Sequence, residues 1–62
     1  MQDDAIAADV AATYQEALKR LGKDLPAYEA AVEVYLGHRP NSGNARIRVA
    51  EIIARAADER AR

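Results

Sequence analysis

The sequence predicts an all-α protein, a small domain of three helices at about residues 3–21, 25–36 and 43–60. Three observations support this fold class. Apolar residues recur at three- and four-residue spacing, as they do along one face of a helix. Gly, Pro, Asn and Ser are concentrated in the stretches between these periodic segments,. A chain of 62 residues has the size of one domain, so residues 1–62 are taken as a single unit,.

The first predicted helix has one apolar face. Its apolar residues follow helical spacing: Ile6, Val10, Tyr14, Ala17, Leu18 and Leu21,. Asp3 and Asp4 are candidate N-caps, and their negative charge suits the positive end of the helix dipole. Gly22 is placed as the left-handed residue that follows the end of a helix. The segment therefore predicts an amphipathic helix with defined ends.

The second predicted helix is apolar around almost its whole circumference. Only Glu29 and Glu33 are charged in this segment, and their four-residue spacing puts them on one narrow stripe,. Asp24 is the predicted N-cap, Pro26 suits the first turn, and Gly37 is predicted to end the helix. A helix of this kind must be covered nearly all round, and two neighbouring helices cover only two of its sides. The third side is predicted to be exposed or to contact another chain.

The third predicted helix is apolar over more than half of its circumference. Its strongest stripe is Val49, Ile52, Ile53 and Ala56. This stripe is extended by Ile47, Ala50, Ala54, Ala57 and Ala61,. Three residues before the helix can cap it: Asn41, Ser42 and Asn44. On the charged face, Glu51 with Arg55 and Asp58 with Arg62 are predicted as i,i+4 ion pairs. Arg48 can instead pair with Glu51 or with Glu33.

The predicted core is too small to give much stability. A domain of this size buries only about 60% of its unfolded surface, and such a core rarely contributes more than ~3–5 kcal/mol without cross-links. The chain has no cysteine and one histidine, so neither a disulfide nor a structural metal is expected,. Self-association is the remaining common way to stabilise such a domain. We therefore expect a homo-oligomer, most simply a homodimer with a nearly all-apolar central helix.

Five small or β-branched residues off the main stripes are predicted to line the contact between chains: Ala30, Val34, Ile47, Ala50 and Ala54. Alanine-rich faces let two helices approach closely. This pattern predicts a small protein–protein interaction module, such as a regulator, adaptor or assembly subunit, that presents or buries an apolar helical face. The partner is a second copy of the chain or another protein.

The loop before the third helix favours an alternative function. It has several bases and no acid, and a helix start with nearby arginines can bind anions,. The candidate binding residues are His38, Arg39, Asn44, Arg46 and Arg48. The alternative is a small dimeric nucleic-acid-binding regulator of helix-turn-helix type. However, the predicted loop of six or seven residues is longer than the turn of that motif,.

The composition gives no support for catalysis or membrane insertion. One His, one Ser and no Cys cannot assemble an acid, a base and a nucleophile, so no catalytic residue, metal or cofactor is predicted,. No stretch approaches the ~20 apolar residues of a membrane helix. The acidic start, MQDD, is unlike a secretory signal,. We therefore expect a cytoplasmic protein without membrane contact.

Overall fold

The computed structural model describes residues 2–61, with side chains from residue 4 onward, and confirms the all-α fold class. It has three helices, α1 (Gln2–Leu21), α2 (Asp24–His38) and α3 (Ala45–Arg60), and the described residues form no strand. α2 packs against both other helices, and most extensively against α1. α1 and α2 therefore form the main pair of helices, and α3 contacts both of them to a similar extent.

The helix starts differ from the predicted N-caps. α1 begins before Asp3, so Asp3 and Asp4 lie inside its first turn, and the Asp3 side chain is outside the described residues. α2 begins at Asp24, with Lys23 in the N-cap position and no side-chain cap. The Asp24 carboxylate instead accepts a hydrogen bond from the Tyr14 hydroxyl of α1. A contact between helices has therefore replaced the local cap, although the Asp24 charge still suits the helix dipole.

The end of α1 agrees with the prediction and the end of α2 does not. Gly22 has φ of 71°, and its N–H donates to the carbonyl of Leu18 at 2.8 Å, which is a left-handed helix end. Gly37 was predicted to end α2, but the helix continues through it. The ring of a proline clashes with the backbone of the preceding residue, so that residue avoids helical φ and ψ angles. Arg39, which precedes Pro40, therefore leaves the helix, with φ −133° and ψ 72°.

The start of α3 is fixed by a contact with α2. The helix begins at Ala45, slightly later than predicted, and Asn44 in the N-cap position makes no side-chain cap bond. The Asn44 side chain instead accepts a hydrogen bond from the Ser42 hydroxyl at 2.9 Å. The Tyr28 hydroxyl of α2 donates to the backbone carbonyl of Arg46. The first turn of α3 is thus attached directly to α2.

The charged face of α3 shows one of the predicted pairings. Glu51 lies 3.6 Å from Arg48, in an i,i+3 pair, which confirms that alternative for Arg48. The pair of Glu51 with Arg55 stays a prediction. The predicted pair of Asp58 with Arg62 lies outside the described residues.

The core consists of small side chains. Among the side chains described, the buried apolar residues are Ile6, Val10, Ala17, Ala27, Ala31, Val32, Ala45 and Val49. Half of them are alanines, and the largest that are fully buried are Val10 and Val49. Alanine burial removes little apolar surface from water, so its contribution to the free energy of unfolding is small. Larger, partly buried side chains pack against this core cluster: Tyr14, Tyr28, Val34, Tyr35, Leu36, Ile52 and Ile53.

Candidate protein-interaction surface

The large aliphatic side chains are unevenly divided between the core and the surface. Leu25 is 68% exposed, Ile47 64% and Leu21 48%, whereas the buried core described above contains no leucine. Burying a side chain of this size contributes about 1.5–3 kcal/mol. Leaving it in water gives up that stabilisation. Neighbouring exposed aliphatic residues are typical of a surface that contacts another protein.

Leu25 and Ile47 lie beside one ion pair that joins α2 to α3. Arg46 of α3 pairs with Glu29 of α2, and its guanidinium carbon lies 5.5 Å from the centroid of the Tyr28 ring, close enough for a cation–π contact. Leu25 precedes Glu29 by four residues and shares its stripe of α2, while Ile47 directly follows Arg46,. Both aliphatic residues therefore lie within about one helical turn of the pair.

The five predicted contact residues fall into two groups. Ile47, Ala50 and Ala54 are exposed, and their spacing places them on one outward side of α3,. Ala30 and Val34 are half-buried, and Val34 packs against the core cluster. The structure therefore places the three α3 residues on the surface and the two α2 residues partly inside the protein. We use the name α2–α3 face for the exposed set Leu25, Glu29, Arg46, Ile47, Ala50 and Ala54.

Leu25 is not among the contact residues predicted from the sequence. The sequence does contain a signal for its exposure, because Leu25, Glu29 and Glu33 are spaced by four residues. Residues spaced by four lie on the same side of a helix, so a leucine at this spacing from two exposed glutamates is itself exposed to solvent. Hydropathy alone placed Leu25 with the apolar residues of α2, whereas its helical phase places it on the charged stripe.

The accessible surface is larger than a compact domain of this mass requires. The chain has a mass of 6.8 kDa and exposes 4581 Å². A folded monomer of that mass is expected to expose about 4,000 Å². The excess belongs to the chain as a whole, so it indicates incompletely covered helices without locating the uncovered area.

The residues predicted to bind anions around the end of α2 have partners within the chain. His38 Nε2 lies 2.8 Å from Oδ2 of Asp9, across the contact between α1 and α2. Asn44 accepts the hydrogen bond from Ser42, and Arg39 also interacts within the chain. The contact of His38 joins the end of α2 to α1, and the bond between Ser42 and Asn44 lies within the loop that follows. All three candidates therefore interact within their own chain.

The two arginines at the start of α3 are paired as well. Arg46 pairs with Glu29 between helices, and Arg48 pairs with Glu51 along α3, with both members of the second pair more than half exposed. Nucleic acid would have to compete with these carboxylates for the guanidinium groups. The observed loop, residues 39–44, is also longer than the three- to four-residue turn of a helix-turn-helix,. This geometry favours an interaction between helices over an anion site.

A cleft of about 1180 Å³ lies between α1 and α3. Its apolar lining includes Ala7 and Ala11 of α1 and Ile52 and Ala56 of α3. Charged residues of both signs also line it: Asp4, His38, Arg39, Arg48, Glu51, Arg55 and Glu59. Charges of mixed sign give the cleft no preference for a ligand of either charge.

Tyr14 is a structural link between α1 and the start of α2. Its hydrogen bond to the Asp24 carboxylate raises the pKa of Tyr14, and partial burial and the Asp24 charge raise it further. A tyrosine held in its protonated form is a poor general base at neutral pH. The link therefore bears on folding and on its pH dependence.

No protein-family model, curated protein sequence or solved structure gives a significant match to this chain. Within residues 2–61, no helix is long and apolar enough to cross a membrane. The described side chains also contain no group of three or more potential metal ligands. The α2–α3 face and the small core are thus the features from which a function can be proposed.

Proposed function

We propose that this chain is a small helical protein–protein interaction module that assembles as a homodimer through the α2–α3 face. One observation carries the proposal, namely the exposure of two large aliphatic side chains on neighbouring helices. Leu25 and Ile47 are 68% and 64% exposed beside the Arg46–Glu29 pair, whereas the other isoleucines are buried or pack against the core. A single chain leaves this apolar surface in water, and a second chain would bury it.

Burial of the face would supply stabilisation that the core lacks. Covering Ile47 and Leu25 is worth at most about 1.5–3 kcal/mol for each side chain. Ala50 and Ala54 have short side chains, so a second helix can approach the backbone of α3 closely. Association costs several kcal/mol of translational and rotational freedom. We therefore expect a dimer with a dissociation constant in about the micromolar range, whose stability depends on protein concentration.

The proposal assigns no catalysis, metal or cofactor to the chain. In such a module the function is the assembly itself, so a regulator, an adaptor or a subunit of a larger complex fits equally well. We place it in the cytoplasm, because a chain without cysteine is compatible with a reducing compartment,. The biological role of the apolar face then depends on which chain it binds.

Sedimentation equilibrium of the parent chain and of Ile47→Glu tests the proposal. The signal is the peptide absorbance, since the chain has three tyrosines and no tryptophan. We expect the parent to reach the dimer mass as concentration rises. Ile47→Glu should remain monomeric with unchanged helical circular dichroism, because it places a charge in the apolar contact.

The matched control is Ala12→Glu, which adds the same charge at an exposed position of α1 outside the face. This variant should dimerise like the parent. A parent that stays monomeric at every concentration would contradict the homodimer. A dimeric Ile47→Glu variant would show that the chains meet through another surface.

A further inference from the structure

The outward side of α3 has the spacing of a two-stranded coiled coil. Five residues follow intervals of three and four: Ile47, Ala50, Ala54, Ala57 and Ala61. This is the alternation of a and d positions, with Ile47 at an a position, where β-branched residues favour two strands. All five are exposed in the single chain, and Ile47 is 64% exposed. Together with Leu25 on α2, they form an apolar helix face that its own chain does not cover.

The charges beside this face differ between its two flanks. The g positions of the repeat are Arg46, Ile53 and Arg60, and the e positions are Glu51 and Asp58,. The charges of one flank are thus basic and those of the other are acidic, and Arg46 is the flank residue that contacts α2. Residues at these positions set the orientation of paired helices, because they face each other across the contact.

The arrangement of charge is complementary to itself in only one orientation. If two α3 helices pair in parallel, the basic flank of each copy meets the acidic flank of the other. Arg46 then faces Glu51 of the second copy, and the contact occurs twice by symmetry. If the helices pair antiparallel, the acidic flank of one copy faces the acidic flank of the other, and the two basic flanks also face each other. Both contacts are repulsive. The charges therefore favour the parallel arrangement.

We infer that the occupant of this face is a second copy of the chain, with the two α3 helices parallel and Arg46 bridging Glu29 of its own chain and Glu51 of the other. The inference rests on the proposed homodimer and specifies its geometry. A guanidinium has five N–H donors, so both carboxylates can be served at once. The existing contact between Arg48 and Glu51 is long, at 3.6 Å, and exposed, and an exposed pair of this kind contributes little.

Disulfide cross-linking of the full chain tests the orientation, because the chain contains no other cysteine. Ala50→Cys and Ala57→Cys each place a thiol at a d position. In parallel helices both variants should cross-link to themselves under mild oxidation. In antiparallel helices the two variants cannot both cross-link to themselves, because the positions are seven residues apart, or about 10 Å along the helix, and a register that aligns one with its own copy separates the other. Glu59→Cys, on the opposite side of α3, measures the background of random collisions.

Self-cross-linking of both seam variants above the Glu59→Cys background would support the parallel pairing. Efficient cross-linking of the mixture alone would overturn it and show antiparallel helices. A parent chain that dimerises without α3 cross-links of either kind would overturn the pairing and leave the homodimer standing. A parent chain that stays monomeric would overturn both the parallel pairing of α3 and the homodimer itself.

The charge contact has its own test in the dissociation constant. Glu51→Lys turns two attractive contacts into repulsive ones, so the dimer should weaken roughly five- to tenfold at low salt, and the difference should shrink at high salt. Glu59→Lys makes the same charge change off the flanks and should leave the dissociation constant within about twofold of the parent. Equal effects of the two variants would overturn the contact of Arg46 with Glu51 of the second copy.

Discussion

The contact between α1 and α2 and the contact between α2 and α3 are built in different ways. The first two helices are joined by a short turn at Gly22 and share the most extensive packing in the chain. α3 follows a longer loop and is held near its start by the Tyr28 hydrogen bond and the Arg46–Glu29 pair. The α1–α2 hairpin has the more extensive packing, although Leu21 and Leu25 beside its turn are exposed. α3 buries Ala45 and Val49 in the core, adds these polar contacts near its start, and leaves its outward apolar side exposed.

This difference indicates how the chain divides its tasks. All three helices contribute to the core, in which Val10 of α1 and Val32 of α2 pack with Val49 of α3, so this shared core should set the stability of the single chain. α3 has one side on Val49, which is fully buried, and another side with Ile47 in solvent. A helix with two such sides can pack within its own chain and contact a second chain at once. Changes in the two regions should therefore have separable effects on folding and assembly.

The largest effect on folding is expected from the core residue of the hairpin. Val10 is fully buried on α1, and Val10→Ala should lower the free energy of unfolding by about 2 kcal/mol through lost burial and a residual cavity. Urea unfolding followed by circular dichroism gives the value. Ala12→Gly, at an exposed site of the same helix, should cost only about 1 kcal/mol, from helix propensity. An equal loss in both would mean that Val10 is not a core residue in solution.

Two glycines should respond to the same substitution with opposite signs. Gly22 has φ of 71°, so Gly22→Ala should destabilise the hairpin by about 1–2 kcal/mol. Gly37 lies inside α2, and a Cβ there would meet nothing within 4 Å. Gly37→Ala should therefore stabilise the chain by about 0.5–1 kcal/mol. Thermal unfolding measures both, and destabilisation by Gly37→Ala would mean that α2 does not continue through this residue.

Loss of the α2–α3 attachment should loosen α3 more than the hairpin. Arg46→Ala removes the pair with Glu29 and the contact with the Tyr28 ring, at a cost of about 1 kcal/mol. Amide hydrogen exchange should become faster in α3 and change little in α1. Arg48→Ala removes an exposed pair within α3 and serves as the control. Uniformly faster exchange along the whole chain would contradict separate attachment of α3.

The smallest effect should be a pH-dependent one in the hairpin. Tyr14→Phe removes the hydrogen bond to Asp24 and should cost about 0.5–1 kcal/mol at neutral pH. The pKa of Tyr14 is raised in the folded chain, so the contribution is complete below the ordinary tyrosine value of about 10. It is lost as the pH rises through the raised pKa, because the folded state then has to release a proton that it binds more tightly. If the free energies of unfolding of the parent and of Tyr14→Phe differ by the same amount above pH 10 as below it, the hydrogen bond between Tyr14 and Asp24 would be contradicted.

The positions of the helices could be predicted from the sequence because the apolar spacing is local and regular. The ends were harder to place, since contacts between helices decide them. Asp24 bonds to Tyr14 instead of capping α2, and Arg39 before Pro40 ends the helix where Gly37 was expected to. Neither the hydrogen bond of Asp24 nor the end of α2 at Arg39 can be predicted from the apolar spacing of one helix alone.

The candidate surface could be predicted only in part. Ile47, Ala50 and Ala54 are exposed as the apolar excess of α3 suggested, although their role in assembly stays a prediction. Val34 packs against the core cluster, and the direction from which neighbouring helices cover α2 cannot be derived from its own sequence. The pairing of Arg46 with Glu29 likewise joins residues of different helices, which helical periodicity does not relate.

The midpoint of thermal unfolding, measured on the parent chain over a hundredfold range of concentration, tests most directly whether assembly stabilises this domain. A dimer is favoured by mass action, so the midpoint should rise by several degrees across the range. The rise should disappear in Ile47→Glu and persist in Ala12→Glu. A parent midpoint that does not change with concentration would mean that the three helices are stable alone, and it would contradict stabilisation through the α2–α3 face.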